Sequence, residues 1–316
     1  MRRGRAWIRA SEVSSALASV LVAVAFLSAF SFGQAEMRAR LEELIAASGA
    51  EAVAIAYYDF ATREEILLHG DEPFHAASTM KVPVMMEVFR QAHQGRLSLE
   101  ERLIVRNEFR SLADGSPFSL TAESDSDPAL YEKIGQAVPI RELVRTMIVR
   151  SSNLAANLLI ERVTAARVQA LMEEIGASGM RVRRGVEDRR AFERGLNNTT
   201  TARALLVIFR RLAEGSVVSP ESCAEMVRIL LDQEFNDGLP ADLPEGVRVA
   251  HKTGTITRIA HDAGIVYPPA GPPYVLVVLT RGLPDERRAN RLIAELSRLL
   301  YDYTLQRRAE HRSRPQ

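Results

Sequence analysis

Apolar spacing changes period four times along this chain, and the order of the changes limits how it can fold. Helical spacing at 37–47 (Leu41, Leu44, Ile45) opens the domain, and strand-like alternation follows at 52–59 and 65–69. Helical spacing then dominates the middle of the chain, and strand patterns return at 247–251, 263–267 and 274–280. A last helix at 285–303 carries Ala289, Leu292, Ile293, Leu296, Leu299 and Leu300 on one face. Strands at both ends with helices between them predict a mixed α/β (α+β) fold. Its antiparallel sheet is built from both ends of the chain and flanked by helices, with an all-helical region inserted.

The middle has its own punctuation. Residues 81–93 place Val82, Val84, Met85, Val88 and Phe89 on one side, as a buried helix requires. From 97 to 136 the chain is polar and broken by Ser, Asp and Pro, which reads as loops. Pro139 opens a helix bearing Leu143, Val144, Met147 and Ile148. After a break at 151–153 a second helix passes through Leu158, Leu159 and Val163. Residues 181–198 form an irregular loop holding six arginines, and helices are expected at 201–213 and 221–233.

The ends differ from the body. Arg2, Arg3, Arg5 and Arg9 precede a run from Val13 to Phe32 that is apolar or small throughout, and Gly33-Gln34-Ala35 follows. That layout predicts a secretory signal peptide over 1–35, cleaved before Glu36, with an uncleaved anchor as its rival. The expected destination is periplasmic or secreted, with no stable membrane partner after cleavage. Losing four arginines and one glutamate moves the formal charge from +1 to −2. A charge so near zero makes no case for a nucleic-acid partner. A single domain is expected over 36–305, and the polar, basic stretch 306–316 is expected to be a disordered tail.

Three short motifs occur in order. Ser78-Thr79-Met80-Lys81 lies where a strand-and-loop region enters a helix, Ser151-Ser152-Asn153 lies between two helices, and Lys252-Thr253-Gly254 ends a strand. A serine hydroxyl is a weak nucleophile until a base removes its proton. Three residues apart on a helical turn, Ser78 and Lys81 are neighbours, so a deprotonated Lys81 can serve as that base. Near a helix N-terminus the Ser78 N–H points outward and can stabilise an oxyanion. Other catalytic patterns are missing: the six histidines have no metal-ligand spacing, Cys223 is alone, and there is no G-x-S-x-G. His261 reads as a satisfied structural histidine.

Together the motifs resemble those of penicillin-binding proteins and class A β-lactamases. The likeness extends to RELVRTMIVRSSNLAANLLI (141–160), NNTTTARAL (197–205) and DERRANRLIAEL (285–296), and so spans the expected mature chain. It implies a β-lactamase/transpeptidase-like fold and a serine hydrolase acting through a Ser78 acyl-enzyme, with no metal or cofactor. The implied substrate is a β-lactam or a D-Ala-D-Ala-like molecule, the implied state a monomer. It also implies roles. Lys252 and Thr253 receive the substrate carboxylate, Ser151 protonates the leaving nitrogen, and Asn153 holds Lys81 and the substrate amide. Gly254 completes the strand motif, and the N–H of Thr255 is the second oxyanion donor.

Two departures matter. Position 152 is Ser where class A enzymes carry Asp, which predicts a cost in stability more than in chemistry. The E-x-x-L-N that supplies their deacylating glutamate is absent, and Glu187 is the best-placed carboxylate by count, with Asp188 and Glu193 as rivals. Asn198 stands where those enzymes have an Asp paired with arginine, so a neutral link to Arg184 is expected at the loop neck. Beside hydrolysis, a D,D-peptidase or esterase and a non-hydrolysing penicillin-binding sensor fit the same motifs.

Overall fold

The structure, a computed structural model, describes residues 33–313. The chain divides into two units, Met1–Leu44 and Ile45–Gln316. Residues 33–48 are helical (α1). Residues 1–32 of the expected signal peptide lie outside the described residues, as do 314–316 of the expected tail. Among the described residues no helix is long and apolar enough to cross a membrane.

After α1 come β1 (Ala52–Asp59), β2 (Glu65–Leu68) and the short β3 (Phe74–His75). A 3-10 turn, Ala77–Met80, runs directly into α2 (Lys81–His93). The polar stretch that follows contains four short strands, β4 (Arg102–Ile104), β5 (Phe109–Arg110), β6 (Pro117–Phe118) and β7 (Ala137–Pro139). Three helices come next: α3 (Ile140–Val149), α4 (Asn153–Val163) and α5 (Ala165–Glu174). After α6 (Arg189–Glu193) and β8 (Thr199–Thr200) come α7 (Ala202–Ala213) and α8 (Pro220–Leu231). The chain closes with β9 (Arg248–Ile256), β10 (Ile259–Tyr267), β11 (Tyr274–Arg281) and α9 (Glu286–Arg312).

The sheet has the order β2-β1-β11-β10-β9 and is antiparallel throughout, so its first and last strands in sequence, β1 and β11, lie side by side. This is the expected sheet built from both ends. Its residues alternate between two packed faces. Ala54, Ala56 and Tyr58 of β1 join Val275, Val277 and Leu279 of β11 in the main core with α7. Tyr57 points the other way, where its hydroxyl bonds Thr304 of α9 at 2.8 Å. Helix starts are capped by side chains: Ser152, Thr164, Thr201, Ser219 and Asp285 each accept the N–H three residues on. Each such cap typically contributes about 1 kcal/mol.

Several expectations need correction. A further helix, α5, follows α4 directly, its Val168, Leu171 and Met172 buried. Lys252-Thr253-Gly254 lies inside β9 rather than at its end, and β10 starts at Ile259 instead of 263. Both strands run on through Lys252, His261 and Asp262, which are polar yet buried and so hide the apolar pattern. The expected disordered tail is largely helix, since α9 continues to Arg312. The physical reason is two ion pairs. Buried Arg308 donates to Asp59 at 3.1 and 3.2 Å, and Arg307 to Glu64 at 3.4 Å. Basic residues that look solvated in sequence are paired with buried carboxylates from the start of the sheet.

Candidate active site

The nucleophile candidate sits on a strained approach. Ala77, just before Ser78, has φ 46°, a left-handed conformation that non-glycine residues rarely adopt. The turn at 77–80 thereby leads into α2 with Ser78 half-buried at its mouth and Lys81 fully buried beneath. Gly254 of β9 lies against this turn: a Cβ there would come within 3.1 Å of both the Ser78 and Thr79 nitrogens. Glycine therefore lets the strand approach the helix-start amides. Thr255 follows it in the strand, its hydroxyl donating to Glu286 at 3.0 Å.

Two buried amines converge on one hydroxyl. Lys81 Nζ donates to Ser151 O at 2.6 Å, Asn153 Oδ1 at 2.8 Å and Ser151 Oγ at 3.2 Å. Lys252 Nζ reaches the same Ser151 Oγ at 3.0 Å and Thr253 O at 3.0 Å. Ser151 has φ 58°, the bend that brings its carbonyl and hydroxyl to the lysines together. Burial lowers the Lys81 amine to about 7, against the opposing fields of Asp125 and Glu187. Lys252 is pushed well below its ordinary value by burial and then by Lys81, with Asp262 opposing. A hydroxyl that accepts from two amines has its own proton free for a third group.

The rival carboxylates of the 181–198 loop separate clearly. Glu187 lines the cleft with Ser78, and its Oε1 accepts from Asn153 Nδ2 at 3.1 Å. Asn153 thus bridges Lys81 on one side and Glu187 on the other. Asp188 is buried and spent on structure, accepting from Ser111 Oγ and Leu112 N at 2.8 Å and Ala191 N at 3.0 Å. Glu193 is exposed and pairs with Arg189 at 2.9 Å. Glu187 has φ 61°, and its neighbours hold it there. Asn157 clasps Val186 at N (2.7 Å) and O (3.1 Å), while Asp188 anchors the other side.

The loop neck is closed without an ion pair. Asn198 Oδ1 accepts from the backbone of Arg183 and Arg184 at 2.8 and 3.2 Å, and its Nδ2 donates to Arg184 O at 2.9 Å. The neutral link to Arg184 is therefore to its backbone. The guanidinium turns instead to Leu196 O, Gly185 O and Asn197 Oδ1. β3 pairs with β8 beside it, tying the loop to the residues just before Ser78. His261 is buried and satisfied, with Nε2 on His75 O at 2.9 Å and Nδ1 reached by Thr280 N at 3.2 Å.

Asp125 was not singled out by sequence. It lies in a Ser-Asp run of the polar stretch, with no pattern to mark it, yet it is buried under the Ser151–Asn153 break. Its carboxylate accepts the N–H groups of Asn153 and Leu154 at the start of α4. A carboxylate thus reaches this break from a distant segment, and Ser152 serves as the N-cap.

Two adjoining clefts of about 390 and 310 Å³ share Ser78, Asn153, Glu187 and Thr255. The larger adds the apolar Val186, Phe192 and Ile256, the smaller the polar Ser126, Ser151 and Thr253. Among the described residues no three His, Cys, Asp or Glu side chains are grouped to hold a metal.

The chain is similar along most of its length to known proteins. A β-lactamase of Streptomyces fradiae is 29% identical over 308 residues, 95% of this chain and 96% of its own. The crystal structure of a β-lactamase from Sphaerobacter thermophilus superposes with a TM-score of 0.72 at 28% identity, covering 86% of this chain and 97% of that one. A mutant of PBP-A, solved as its acyl-enzyme complex with penicillin-G, gives a TM-score of 0.74 at 27% identity, covering 86% and 97%. The match to the family description runs over residues 36–304, from α1 almost to the end of α9, and on that extent the chain belongs to the beta-lactamase enzyme family.

Proposed function

We propose that this protein hydrolyses β-lactams through an acyl-enzyme on Ser78. The observation that carries the reading is the bridge at Asn153, which links Lys81 to Glu187 beside one serine. Neutral Lys81 takes the Ser78 proton as Oγ attacks the lactam carbonyl, and oxyanion charge builds in front of the Ser78 and Thr255 N–H groups. The C–N bond then breaks, Ser151 gives its proton to the leaving nitrogen, and Lys81 returns one to Ser151. In the second half Glu187 removes a proton from water, the hydroxide attacks the ester, and Ser78 leaves with its proton restored.

The substrate carboxylate meets Ser151, Thr253 and Thr255, with the Lys252 amine buried behind them. A carboxylate arriving there favours charged Lys252, and like-charge repulsion then favours neutral Lys81. An anionic substrate thus helps to generate its own base. Acylation should rise with pH through about 7, where Lys81 loses its proton.

Intact-mass measurement after mixing with penicillin tests the reading. Wild type should carry a transient adduct and regenerate, and Ser78→Ala should carry none. An undiminished adduct in the mutant refutes Ser78 as nucleophile. Export follows from the 1–35 segment, with cleavage before Glu36. N-terminal sequencing of protein from a periplasmic extract should begin near Glu36, and recovery of the uncut chain in membranes would refute cleavage.

A further inference from the structure

The Lys81 amine has three acceptors, and all belong to Ser151 and Asn153. Neither residue is held there by its own helix alone. Ser151 is in a left-handed conformation, and Asn153 is the first residue of α4. What pins both is the segment 125–126. Asp125 accepts the Asn153 N–H through Oδ1 at 3.1 Å and Oδ2 at 3.0 Å, and the Leu154 N–H at 2.8 Å. Ser126 Oγ reaches Ser151 O at 3.5 Å, the same carbonyl that Lys81 uses. The Asp125 carboxylate is only 7% exposed, and its remaining valences go to Tyr131 Oη (3.1 Å), Ser152 Oγ (3.4 Å) and Asp127 N (3.1 Å).

We propose that Asp125 is a positioning residue for acylation, one buried carboxylate that locks the Ser151–Asn153 corner and holds a negative charge on the Lys81 side of the site. The inference rests on the proposed role of Lys81 as the acylating base. The carboxylate sits at the N-terminus of an eleven-residue helix, where amide donors and the helix dipole stabilise a negative charge. The groups whose fields reach Lys81 are Asp125, Glu187 from the 181–198 loop and Lys252 from β9. Asp125 heads the two carboxylates that favour the charged amine and so sets how much neutral base is present. A wedge that only filled space would hold the corner without doing this.

The pH dependence of the second-order rate constant for acylation by penicillin separates the two roles. Asp125→Asn keeps the shape but replaces an acceptor oxygen by a donor and removes the charge. The rate on the alkaline plateau should fall roughly 10- to 100-fold, the range for losing a hydrogen bond to a charged group. The acid limb should move to lower pH, because Lys81 loses a field that favours its proton. Asp125→Glu restores the charge and should return the limb toward its wild-type position. If Asp125→Asn does not fold, Tyr131→Phe removes one donor from the carboxylate, concentrates its charge and should move the limb to higher pH. Limbs unmoved in every folded variant, beside a wild type that acylates normally, overturn the proposal. A wild type that penicillin never acylates overturns the function it rests on instead.

Discussion

The two halves of this site are built differently. The half proposed to carry out acylation is sunk in the core: Lys81 and Lys252 have no exposed surface and Ser151 has 8%. They hang on α2, β9 and the start of α4, elements with extensive packing of their own. The Glu187 side is an exposed residue on a loop, in a backbone conformation that costs about 1–3 kcal/mol for a non-glycine residue. It stays there because Asn157 grips the residue before it and Asp188 is buried after it. Burial tunes the first half, where desolvation brings an amine down to about 7. Backbone clamps serve the second, where a carboxylate must face water. With the proposed roles, the contrast predicts that acylation and deacylation can be damaged separately.

Lys252→Ala offers the largest asymmetry within the buried half. Losing a charge behind the carboxylate site should reduce kcat/KM for an anionic β-lactam about 10- to 100-fold more than for a neutral ester. Equal losses would mean that Lys252 only supports Ser151. Asn157→Ala attacks the clamp. Two neutral hydrogen bonds to Val186 disappear, and deacylation should slow about 3- to 10-fold while acylation changes by less than about twofold. Rapid-mixing rate constants for the two steps check this, and parallel losses would erase the distinction between the halves.

The same contrast explains what the amino-acid sequence made legible. Ser78 and Lys81 stand out because a nucleophile and its base can share a helical turn, and Lys252 because its triplet, in order after the other two motifs, resembles a known family's. The sheet built from both ends is equally visible in its apolar strands, β1 and β11. Glu187 was one of three carboxylates within seven positions, and only the direction of each side chain sorts them. Asp125 carries no local signal, since its meaning lies in amides 28 and 29 residues away. Arg307 and Arg308 misled for a related reason: their buried partners Glu64 and Asp59 are far off in sequence. Local chemistry can be read from order, whereas pairing across the fold cannot.

The division of labour is tested most directly by mixing Glu187→Gln with a chromogenic cephalosporin and following the first turnover and the steady state together. Gln keeps the shape and the contact to Asn153 but cannot take a proton from water. The account predicts a stoichiometric burst with the wild-type rate constant, followed by a steady state slower by about 10²–10⁴, the usual contribution of a general base. A steady state equal to wild type would contradict it, and so would a burst that collapses along with turnover. Either result would move the deacylating base away from Glu187.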